Sequence, residues 1–123
     1  MPNPPVQVPV NGTMRTLLIA LILALLAAAP ATAATKNITV GDDYFVRKGD
    51  PPTVKVKKGT TVVWTWAGSD QHNVVTTSGP RSFQSKLKKS GTFTRVMKKT
   101  GRYRIVCSIH APDMSMILRV RAP

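Results

Sequence analysis

Glutamate does not occur in this chain, cysteine occurs once and histidine twice. The lone cysteine, Cys107, excludes an internal disulfide and leaves either intermolecular pairing or a functional thiol. All five acids are aspartates, set against 18 Lys and Arg in 123 residues, for a formal net charge of +13. The longest purely apolar stretch, Leu17 to Ala29, has 13 residues. That is short of the roughly 20 a membrane-spanning helix needs. Beyond residue 34 there is no helical apolar period, no internal repeat and no low-complexity tract, so the pattern points away from an α-helical fold.

The first third reads as an address rather than as part of a domain. Met14-Arg15 opens a short basic region ahead of the apolar run, and Pro30 precedes Ala31-Thr32-Ala33, a small-x-small cleavage pattern. Residues 14–33 are therefore expected to be a secretory signal peptide, cut after Ala33. No cysteine follows the cut, so a lipoprotein anchor is not indicated. The Pro-rich 1–13 reads as a leader upstream of a start at Met14, or as a short disordered extension. The domain would then be 34–123, with 17 of the 18 basic residues and all five aspartates.

Short β-strands fill this domain. Val54-Lys55-Val56-Lys57 alternates apolar with charged, as a half-buried strand does. Thr60 to Trp66 is rich in β-branched and aromatic residues, and Lys58-Gly59 marks the turn before it. Further strands are expected around Ile38-Val40, Val74-Thr77, Thr92-Val96, Tyr103-Cys107 and Met116-Val120. Period 2 turns Tyr103, Ile105 and Cys107 to one side, and Met116, Leu118 and Val120 likewise. Six to eight such strands separated by turn signals predict an all-β sandwich. Trp64 and Trp66 are expected to lie in its core.

The chemistry concentrates in Cys107-Ser108-Ile109-His110-Ala111-Pro112-Asp113-Met114. A thiolate, an imidazole and a thioether within eight residues are soft and borderline donors, suited to copper rather than calcium or magnesium. His72 arrives from a separate loop. Two histidines, one cysteine and a weak axial methionine form the ligand set of blue-copper electron-transfer centres. Three other readings stand beside it. Structural zinc takes four strong N or S ligands, one more than is available here. A Cys-His hydrolase needs its pair in proton-transfer contact and has no use for the methionine, so no enzyme activity is expected. A buried free cysteine with two incidental histidines is the plainest alternative.

The domain resembles the small type I copper proteins, the cupredoxins of the plastocyanin, amicyanin, pseudoazurin and halocyanin group. The likeness rests on V-x-V-x-x-G-x-x-V-x-W from Val54 to Trp64, and on His72-Asn73-Val74. It continues through Phe83-Gln84-Ser85, Ser90 to Phe93, and the Gly101-x-Tyr103-x-Ile105-x-Cys107-x₂-His110 run. It covers nearly all of residues 37–121. The resemblance implies a Greek-key β-sandwich (cupredoxin-like) with copper, cycling between Cu(I) and Cu(II), bound by His72, Cys107, His110 and Met114. It implies a bond from Asn73 toward Ser108 and a tyrosine corner at Tyr103. Relatives usually carry the axial methionine three or five residues after the histidine; here Met114 is four after His110 and Met116 six, so Met116 is kept as the substitute.

That resemblance implies an electron carrier, which the signal peptide would place outside the cytoplasmic membrane, periplasmic, in the cell envelope or extracellular; a monomer is expected. The positive charge predicts an acidic redox partner protein and association with anionic membrane or envelope surface. Nucleic acid is not expected of an exported chain. Copper delivery without electron transfer is the alternative function.

Overall fold

In a computed structural model of the protein, residues 1–8 and 32–123 are described; most of the expected signal peptide lies outside them. Residues 1–8 are exposed and have no regular secondary structure. Among the described residues no helix is long and apolar enough to cross a membrane. One compact unit runs from Ala33 to Pro123.

Eight strands build that unit: β1 (Thr35–Gly41), β2 (Tyr44–Phe45), β3 (Thr53–Lys57), β4 (Thr61–Trp66), β5 (Val75–Ser78), β6 (Thr92–Val96), β7 (Gly101–Val106) and β8 (Ser115–Arg121). They form two four-stranded sheets, ordered β2-β1-β4-β6 and β3-β8-β7-β5. The first sheet pairs β1 with β4 in parallel, and the second pairs β3 with β8 in parallel; the remaining ladders are antiparallel. The expected all-β sandwich is present. Strand alternation explains why. β3 buries Val54 and Val56 and exposes Lys55 and Lys57, and β8 buries Met116, Leu118 and Val120 while exposing Arg119 and Arg121.

Apolar faces of both sheets meet in one core. Ile38, Val40, Val62 and Trp64 from the first sheet face Tyr103, Ile105, Met116 and Leu118 from the second, all nearly free of solvent. Trp64 lies 5.7 Å from Phe83 and 5.8 Å from Phe93, ring centre to ring centre, in tilted contacts that aromatic rings favour. Among the described residues every core side chain belongs to the Ala33–Pro123 unit, so this unit has its own hydrophobic core, as an independently folding domain requires.

The long β5–β6 connection is stitched down rather than free. Phe83 enters the core, Ser85 Oγ accepts the Val74 N–H at 2.8 Å, and His72 and Lys88 exchange backbone bonds of 3.0 and 3.1 Å. The F-x-S motif thus clamps the segment that carries His72. At the other end of the sandwich, the Tyr103 hydroxyl donates to the Lys99 carbonyl at 2.7 Å, tying β7 to the turn before it. This is the tyrosine-corner contact. Replacing Tyr103 by Phe removes one partly buried hydrogen bond, and urea unfolding should show a loss of about 1 kcal/mol with the ring packing kept.

Candidate metal centre

Cys107 directly follows β7, and the turn 108–114 that returns the chain to β8 carries His110 and Met114. Two backbone bonds hold this loop: His110 N–H to the Cys107 carbonyl at 3.2 Å, and Cys107 N–H to the Met114 carbonyl at 3.1 Å. Met114 N–H in turn donates to the His110 carbonyl at 3.1 Å. The turn therefore gathers all three side chains at one end of the sandwich. His72 comes from the β4–β5 connection, and its backbone carbonyl accepts the Trp66 indole N–H at 3.1 Å. Trp66 is a core residue, as its spacing predicts, and also fixes the backbone of His72.

Asn73 locks the two loops together. Its amide nitrogen donates to Ser108 Oγ and its amide oxygen accepts the Ser108 N–H, both at 2.8 Å. The expected partner is the observed one. With both loops tied at the residues next to His72 and Cys107, neither donor can drift without breaking a reciprocal pair.

Three donor atoms converge as a result. His72 Nδ1 lies 3.2 Å from His110 Nδ1 and 3.9 Å from Cys107 Sγ, and His110 Nδ1 lies 3.5 Å from that sulfur. His72, Cys107 and His110 form a group able to hold a metal ion. The point equidistant from the three atoms is about 2.1 Å from each, against bond lengths of about 2.0–2.3 Å for N and S ligands of such ions. Two imidazole nitrogens and one sulfur are the donors of the two-histidine, one-cysteine set, and a structural zinc site would call for a fourth strong N or S ligand beside them.

Two carboxylates complete the surroundings. The β1–β2 turn places Asp42 Oδ1 3.1 Å from His72 Nε2, and Asp43 Oδ1 3.3 Å from His110 Nε2. Each carboxylate favours a proton on the Nε2 facing it, leaving both Nδ1 lone pairs aimed at the sulfur. A cation entering between them would meet two lone pairs and a sulfur already turned toward one point. Asp42 is itself held by the Asp70 and Ser69 N–H groups at 3.0 and 3.1 Å and by the Ser69 hydroxyl at 3.2 Å. A Cβ on Gly68 would collide with this carboxylate, so only glycine fits there. Asp43 adopts the left-handed conformation, φ 67°, which Asp tolerates better than most residues. Nothing in the local pattern of Gly41-Asp42-Asp43 signals either role.

Met114 is buried and lines, with His110, Ala111, Asp113 and Asp43, a cavity of about 350 Å³ beside the group. Met116 is equally buried but stands opposite Ile105 within the β7–β8 ladder, as a core residue. Of the three converging donors only the His110 side chain reaches solvent, at 32% exposure against none for His72.

The N–H groups of Asp70 and Ser69, and then His72, hold the Asp42 carboxyl well below its ordinary value of 3.8. A carboxyl depressed by folding contributes stability that is present above its unfolded value and lost as pH falls through the folded one. In Asp42→Ala the fall in stability of the metal-free domain between about pH 4 and about pH 2 should be shallower than in the parent. Urea titrations across that range check this, and parallel curves would remove Asp42 from the acid response.

No family model matches the chain. Among solved structures, a purple cupredoxin from Nitrosopumilus maritimus is similar at 21% identity and TM-score 0.58, over 70% of this chain and 99% of that one. A Cu(I) form of an amicyanin variant is similar at 20% identity and TM-score 0.60, over 72% of this chain and 83% of that one. A copper-containing nitrite reductase from Thermus scotoductus matches at 23% identity and TM-score 0.61, over 96% of this chain but only 28% of its own length. With two four-stranded sheets and loops that converge at one end, the chain has the cupredoxin fold.

Proposed function

We propose that the protein is a type I copper protein that carries single electrons outside the cytoplasmic membrane. His72, Cys107 and His110 would hold the copper as strong ligands, with the Met114 thioether as the weaker fourth donor. The observation that carries this reading is the convergence of two Nδ1 atoms and one sulfur within 4 Å of one another. Solved structures of like fold include copper proteins by name, among them an amicyanin in its Cu(I) form. Bound copper would supply a one-electron Cu(I)/Cu(II) couple. The protein's part is to keep the ligand positions the same in both states, which the Asn73–Ser108 tie and the Asp42 bond to His72 do.

Residue burial supports a carrier over a delivery protein. Cys107 and His72 are wholly buried, so handing the ion on would require opening the tied loops. An electron can instead leave through the exposed edge of His110, beside the exposed Ile109. A redox partner protein would dock there. The positive charge of the domain steers an acidic partner from a distance. Asp43 and Asp113, next to His110, keep the final contact weak enough to part quickly. Export follows from residues 14–33 acting as a signal removed after Ala33.

The test is the visible spectrum of the Ala33–Pro123 domain after Cu(II) and then ascorbate. An intense thiolate-to-copper band should appear, bleach on reduction and be absent in Cys107→Ala. Met114→Leu should alter the band and the potential, whereas Met116→Leu, a volume-conserving core change, should leave both nearly as they are. Copper bound tightly without the band sinks the electron-carrier reading and favours delivery.

A further inference from the structure

The two outer faces of the sandwich differ in a way that solvation does not require. On the first sheet, outward positions of β1, β4 and β6 align as Thr35–Thr61–Val96, Asn37–Val63–Thr94 and Thr39–Thr65–Thr92. That face carries no charge. On the second sheet, Lys55, Arg119 and Arg102 stand directly opposite one another across three neighbouring strands. Lys57 faces Arg121 in the next row, and Arg104 faces Ile117 in the row before. All six cations are exposed, and the four strands of this sheet contain no acid. Among the described residues none of the six forms an ion pair.

Like charges directly opposite in a ladder repel and reduce sheet stability. A neutral face such as that of the first sheet shows that these strands need no charge to remain in water. The cations are therefore retained at a cost, and the cost points to a ligand that cancels it. Two features identify the ligand. A sheet face is broad and gently twisted, with strands about 4.8 Å apart and same-face residues about 6.8 Å apart along each, so six cations cover a nearly flat patch. The patch also lacks the exposed aromatic or aliphatic anchors that a specific protein interface needs, since Ile117 and Val75 on this face are half-buried and Val106 is buried.

We propose that the outer face of the second sheet is a docking surface for a bilayer rich in anionic phospholipid, with the six Lys and Arg heads among its phosphates. This inference is independent of what the metal centre binds. It also assigns an orientation. The donors Cys107 and Met114 lie just past the ends of β7 and β8, so the centre sits at the rim of the docking face and not under it. A domain lying on that face keeps His110 open to the side, at a fixed height above the bilayer.

The experiment is vesicle sedimentation of the Ala33–Pro123 domain at low salt, with equal parts phosphatidylcholine and phosphatidylglycerol, and with phosphatidylcholine alone. Binding should require the anionic lipid. The triple variant Lys55→Gln, Arg102→Gln, Arg119→Gln should lose roughly a hundredfold in partition coefficient, about fivefold per cation. A triple with the same net charge, Lys36→Gln, Lys86→Gln, Lys89→Gln, changes no residue of that sheet and should lose less than about fivefold. Removing the mid-sheet row also relieves repulsion, so the first triple should melt no lower than the parent, which separates lost binding from lost folding. Equal losses in the two triples would overturn the proposal in favour of undirected charge attraction. Absence of binding to the anionic vesicles would overturn it outright, as would a face that binds an acidic protein but no vesicle.

Discussion

Everything at the working end of this molecule depends on one geometric constraint. Two imidazole nitrogens and the Cys107 sulfur must be held within 4 Å of one another, close enough for one ion to touch all three. Side chains from two separate loops keep that spacing only where surrounding bonds fix them. Here they do so from both sides. The Asn73–Ser108 pair spans the gap between the loops, with one donor and one acceptor on each residue. Behind the rings, Asp42 and Asp43 take up the Nε2 positions and thereby direct Nδ1 inward. A cysteine at the end of a buried strand, in place of a more mobile loop, then removes the remaining freedom of the sulfur.

The rigidity reaches well into the fold. His72 is bound by backbone bonds to Lys88, by the Trp66 indole at its carbonyl and by Asp42 at its ring. These partners come from the end of a strand, the β5–β6 connection and a turn 30 residues upstream. The sandwich is what brings them together: β4 delivers Trp66, the β1–β2 turn delivers Asp42, and Ser85 anchors the loop that carries Lys88. A mutation in any of them acts on His72 without changing a donor atom, which is how outer contacts would tune such a site.

Much of this could be read in the sequence because it depends on period and on rarity. Alternation along Val54–Lys57 and Met116–Arg121 fixes which side chains turn inward, and only three residues could supply histidine or cysteine donors. Asp42 and Asp43 could not be found that way. They lie 30 residues before His72 and 67 before His110, on a turn whose composition signals only a break in the strand. Their role exists only once β1 is placed beside β4, a parallel pairing that no local pattern announces. The choice between Met114 and Met116 was open for the same reason. Both are apolar and inward, and only the ladder, by setting Met116 opposite Ile105, separates the core residue from the loop residue.

Charge shows the same limit. Lys and Arg alternate with apolar residues in β3, β7 and β8, which is how any half-exposed strand looks when read alone. Sheet order changes the meaning of the pattern, because those three strands turn out to be neighbours and their cations fall opposite one another. The acids are placed in the complementary way. Asp42, Asp43 and Asp70 are engaged around the histidines or the loop that holds His72, and Asp113 lines the cavity beside His110. Asp43 and Asp113 thus stand at the edge where an imidazole reaches solvent, away from the row of like charges on the second sheet. Attraction to an anionic surface and a brief, weakly charged contact at His110 would need opposite electrostatics. Placing acids and cations in different parts of the sandwich would let one small domain satisfy both.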